Sequence, residues 1–295
     1  MALNNPAFNT PAFQDPRAGA QTRYSPPAAP TASAAAAAEA ANLEGMYTAP
    51  AAGAVETDRM TVEDTVFKTL ALFGVLVVGA VVGWIWSMAG VSAANPSPSA
   101  APMVVGGLVG FVLALVAIFK KKPSVPVFFA YAVFEGLFVG GISAFFEFMF
   151  PGIVIQATLA TLSVVGVTLA LFASGKVRAS ARATKIFMIA MIGYMVFGLI
   201  NLGLMLFNAP IAGGAFGLYS QPSFLFGIPW GVLIGVVVVI MAAYSLVLDF
   251  DQIQRGVRNG AARVYGWVGA FGIMVTVVWL YVEILRLLAI LRGNN

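Results

Sequence analysis

Seven stretches of this chain are apolar over a length that crosses a lipid bilayer, and they constrain the fold more than any motif does. They run over about residues 66–90, 102–119, 126–149, 153–173, 186–207, 226–250 and 264–291. A hydrocarbon core of about 30 Å takes roughly 20 residues of α-helix, and it offers no water to an open backbone, so successive runs of this kind predict helices. Composition agrees with that reading: 60% of the 295 residues are hydrophobic and 9% are charged, against about 25% charged in a soluble domain. The expected fold class is all-α, a polytopic membrane protein with seven transmembrane helices.

The connections alternate in charge. KKK at 120–122, KVRASARATK at 176–185 and RGVRNGAAR at 255–263 are basic, whereas VSAANPSPSA, FPG and NAPIAGGAFGLYSQPS carry no Lys or Arg. Basic loops stay on the cytoplasmic side, which places the N-terminus in the cytoplasm and, after seven crossings, the C-terminus outside the cell membrane. The formal charge of +4 is concentrated in these short clusters, so it reads as topology and not as a nucleic-acid surface. Residues 1–60 are rich in Ala, Pro, Thr and Ser with no sustained apolar period, and are expected to form a disordered cytoplasmic tail ahead of a transmembrane domain over 61–295. The opening MALNNPAFNTPAFQ has neither the basic start nor the apolar core of a signal peptide, so the tail is expected to remain. Its repeated PAF reads either as a docking motif or as low complexity.

The chain contains no Cys and no His. Disulfides, thiolates, imidazole metal sites and His-assisted nucleophiles are therefore excluded, and no enzymatic activity, cofactor or small-molecule substrate is expected. The last span has no Lys for a retinal Schiff base, and only the sixth carries Asp, where an intramembrane aspartyl protease needs two facing helices. Proton chemistry falls to the carboxylates. GAVVG at 79–83, GGLVG at 106–110, GLFVG at 136–140 and GVLIG at 231–235 predict close helix contacts.

Carboxylates inside the spans are the candidate functional residues, because each costs at least about 2.5–3.5 kcal/mol to insert. Glu135 falls near the midplane of the third span, as a point on an ion or proton path or as hydrogen-bonding glue between helices. Glu283 has Arg286 three residues on, which suggests a local ion pair with the arginine reaching outward; an entry-side acid for cations is the other reading. Asp249 and Asp251 close the sixth run in SLVLDFDQIQ. A helix stopping at Leu248 would set both charges against the negative end of its dipole, so it is expected to continue toward Arg255, Arg258 and a stop at Asn259-Gly260. The two acids then point about 200° apart. Asp251 finds Arg255 at i+4, a solvated structural pair, and Asp249 is left to another helix, a cation or a proton.

The FEGLFVGGIS segment, QATLATLSVVGVTLALF, LDFDQIQ and LYVEILRLL together resemble the Bax inhibitor (transmembrane Bax inhibitor motif) family, over about residues 60–292, and within it the bacterial branch with a long N-terminal tail. The resemblance implies six helices packed around a central seventh, and a pH-sensitive calcium leak controlled by two aspartates. The first carries over onto Asp249, with Ile253 four residues on. The second falls on Glu283 if Leu-Tyr-x-acid is matched, or on Thr276 if the terminal Leu-Arg-Leu-Leu is matched, which leaves no acid there. Two functional expectations follow. One is a leak for Ca²⁺ or other cations past Glu283, Glu135 and Asp249, with Asp249 as the point of Ca²⁺ transit. The other is a non-conducting stress-response regulator acting on a membrane protease or another membrane partner.

Overall fold

A computed structural model of the chain describes residues 58–93, 95–207, 216–223 and 227–293. The expected tail falls outside them except for its last three residues, as does the PAF pair. Among the described residues seven helices are long and apolar enough to cross a membrane: α1 (Val62–Met88), α2 (Ala101–Phe119), α3 (Val125–Met149), α4 (Ile153–Ala173), α5 (Ala181–Leu206), α6 (Trp230–Arg258) and α7 (Gly266–Gly293). Short 3₁₀ turns occupy Gly217–Ser220 and Arg263–Tyr265.

Local chemistry explains where the ends fall. Thr61 caps α1 by accepting the Asp64 amide at 3.1 Å, and Glu63 and Asp64 follow in the first turn, where negative charge suits the dipole. α5 starts five residues earlier than its apolar run because Ser180 accepts the Ala183 amide at 3.2 Å, drawing Arg182 and Lys185 into helix. The Pro-Gly turn into α4 is fastened by Glu147, which accepts the amides of Gly152 at 2.6 Å and Val154 at 3.0 Å. α6 does run past its apolar stretch, through Arg255 and Arg258, and stops at Asn259 with Gly260 left-handed at φ 64°.

The bundle is organised on α7. Half of its span is buried inside the protein, against 6% for α5. α6, α1, α4 and α3 pack directly on it, and α2 lies outside against α3. Two apolar clusters share this axis. The first half of α7 supplies Phe271 and Met274 to a core with Leu72, Leu76, Phe128 and Ile253; the second half supplies Leu280, Ile284 and Leu285 to another with Phe146, Ile153 and Leu246. The glycine faces are close contacts as expected: a Cβ on Gly136 would lie 2.3 Å from the Leu76 carbonyl oxygen, and one on Gly79 2.7 Å from that of Val133. α1 and α3 therefore touch backbone to backbone.

Candidate functional site

α6 turns Asp249 and Asp251 to different surroundings, as two residues on one helix must be. Asp251 takes Arg255 at 2.5 Å. The expected pair forms, with one correction: Asp251 is 8% exposed and is not solvated. Only the Arg255 end of the pair reaches outward.

Asp249 is 3% exposed. Its Oδ2 accepts the Thr276 hydroxyl of α7 at 2.6 Å, and Ser245, one turn back on α6, lies 3.5 Å from the same hydroxyl. Among the described residues no Lys or Arg forms an ion pair with it. A buried acid held by one neutral hydroxyl is an unusual charge to leave in a bundle core, where an isolated carboxylate is compensated by a proton, a cation or a counter-charge.

The remaining acids lie elsewhere. Thr276 precedes Glu283 by seven residues of α7, or about 10 Å of helix rise. Of the two positions offered as partner for Asp249, the structure sets Thr276 beside it. Glu283 has its own company: Arg286 bonds its Oε1, and the Tyr194 hydroxyl from α5 donates to Oε2 at 2.9 Å. The arginine does not reach outward as expected, because its guanidinium stacks 3.9 Å from the Tyr219 ring centroid and its side chain is 14% exposed. Glu135 faces α2, where a Cβ on Gly110 would sit 3.1 Å from its Oε2, and bonds Tyr131 one turn back.

Glu135, Asp249 and Glu283 thus occupy three separate interfaces. Among the described residues no three acidic side chains converge into a group that could hold a metal ion. A cavity of about 460 Å³ between α1, α3, α4 and α7 contains none of them; its few polar groups include Ser143 and Tyr281, which bond each other at 2.7 Å. Tyr194 and Tyr219 carried no sequence signal, being single aromatics in or beside apolar runs. Tyr131 did carry one, its i−4 spacing from Glu135.

The family model described as Bax inhibitor 1 like matches residues 5–293. The chain belongs to the Bax inhibitor 1 like family. It is a multi-pass membrane protein of a family not generally enzymatic. No curated protein and no solved structure matches it. Family membership and geometry meet at the end of α6: the acid expected there is present as Asp249, and the group facing it from α7 is a hydroxyl.

Proposed function

We propose that this protein is a cation leak pathway of the cell membrane, with Ca²⁺ as the favoured ion and the Asp249–Thr276 contact as its pH-responsive gate. The observation that carries the reading is the burial of Asp249 with a neutral hydroxyl as its bonding partner from the next helix. A charge left open in this way invites either a proton or a hard cation, and the two compete for the same oxygens. Glu135 and Glu283 are secondary points at other depths, and Glu283 is largely committed to Arg286. The proposed orientation puts the basic connections, the α6 end and Asp249 toward the cytoplasm, and the α7 end outside.

Ca²⁺ flux through proteoliposomes at one fixed pH tests the assignment. Asp249→Asn is expected to change flux severalfold, whereas Glu135→Gln changes it less. If Asp249→Asn and Glu135→Gln both conduct as the native protein does, no conduction site lies at these acids and the reading is wrong.

A further inference from the structure

The segment entering α1 is sewn to the connection between α6 and α7. Arg59 and Ala262 form an antiparallel bridge, in which the Met60 amide donates to the Ala261 carbonyl at 2.7 Å and the Arg263 amide to that of Asp58 at 2.9 Å. Side chains reinforce it. A single Asp64 oxygen, Oδ1, accepts both Arg263 Nε at 3.0 Å and Nη2 at 2.8 Å. Lys68 bonds the other Asp64 oxygen and donates to the Arg263 carbonyl at 2.6 Å. Met60, 1% exposed, is inserted into the apolar cluster that also holds Ile253 and Met274.

This joint sits directly below the gate. At Gly269 of α7 a Cβ would lie 2.8 Å from Ile253 and 3.3 Å from Thr65, so α1, α6 and α7 meet at one point without slack. Ile253 is one turn from Asp249, and Gly269 is seven residues from Thr276. Separating α6 from α7 at Asp249–Thr276 draws Ile253 away from Gly269 and breaks this three-way contact, which the docking of Asp58–Lys68 on Ala261–Arg263 opposes, because packed interfaces switch between discrete arrangements and do not stretch.

We infer that Asp58–Lys68 is a latch which, docked on the α6–α7 connection, holds the Asp249–Thr276 gate shut, and which must release for the gate to open. The inference rests on the gate proposed above. It gives the chain ahead of Asp58 a mechanical route to the gate, since whatever pulls on that chain loads the bridge first.

Because the chain has no cysteine, Arg59→Cys/Ala262→Cys introduces one defined disulfide. Both positions are exposed, and facing residues of an antiparallel pair stand about 4.5–5.5 Å apart, within disulfide range. Two readouts on the full chain, in nanodiscs and proteoliposomes, separate the latch from the leak. Oxidation is expected to cut Ca²⁺ flux, and reduction of the same sample to restore it. Hydrogen exchange needs no flux: Asp64→Asn/Arg263→Met is expected to speed exchange about five- to tenfold across residues 249–253 and 269–276, and the disulfide to slow it there. Should exchange change only at residues 58–64 and 261–263, the joint is a local clasp and the latch is refuted, whatever the flux does. If exchange behaves as expected but no variant conducts, the latch stands and the leak falls. Where the reduced sample does conduct, an oxidised sample that conducts equally overturns the latch as a gate control.

Discussion

Asp249 and Glu283 are both deeply buried acids, yet their neighbours give them opposite prospects. Glu283 is matched by an arginine and a tyrosine, and breaking such a match strands a charge. Glu283→Gln is expected to cost about 3–5 kcal/mol of stability, and Glu283→Gln/Arg286→Met less than Glu283→Gln alone, measured by thermal unfolding in detergent. A double variant no better than the single would show the pair is not the unit. Asp249 has only a hydroxyl to lose. Thr276→Val keeps the shape and removes the donor, and is expected to cost about 1–3 kcal/mol, while Asp249→Asn, a neutral near-isostere, costs less. Reversal of that order, read by the same unfolding measurement, would place a hidden counter-charge at Asp249. Sequence reasoning separated the two acids of Asp-Phe-Asp by helix geometry and paired Asp251 correctly. Whether Asp249 met Thr276 or Glu283 was not legible, because that choice depends on the axial register of α7 against α6, which neither helix's own pattern sets.

Between elements, the glycines divide into those that hold helices together and those that do not. A Cβ on Gly140 would lie 1.9 Å from the Ala80 carbonyl oxygen, whereas one on Gly166 of α4 meets nothing within 4 Å. Gly140→Ala is therefore expected to destabilise by about 1–3 kcal/mol or more through forced separation of α1 and α3. Gly166→Ala should gain up to about 1 kcal/mol from helix propensity alone. Equal effects in the two variants would mean that α1–α3 contact is not close. The existence of all seven helices was legible from hydropathy, and the end of α6 from its carboxylates and Asn-Gly. The start of α5 was missed because a cap at Ser180 carried basic, polar residues into the helix. The joint of Asp58–Lys68 with Arg263 was missed for a different reason: its partners stand about 200 residues apart, and each reads alone as an ordinary helix-end charge.

At the scale of the whole molecule, an apolar bundle wrapped on α7 leaves Asp249 of α6, like Glu135 of α3, without an ion-pair partner among the described residues. The family resemblance implies six helices around a central seventh; the seventh half-buries itself between α1, α3, α4 and α6, whereas α2 lies outside against α3. A topology in which the connections at 120–122 and 176–185 share one face with residues 58–61 follows from an odd–even count of crossings, and thiol labelling of single cysteines placed there is expected to occur from the cytoplasmic side only. Labelling of Lys121→Cys from outside would invert the proposed orientation. The central claim is that a single carboxylate, and no dyad, carries the response to protons. The most direct test is Ca²⁺ flux titrated across neutral pH in proteoliposomes, for the native protein and for Asp249→Asn side by side. The account predicts a pH-dependent native flux and a flat profile for Asp249→Asn; a titration that survives Asp249→Asn unchanged would contradict it.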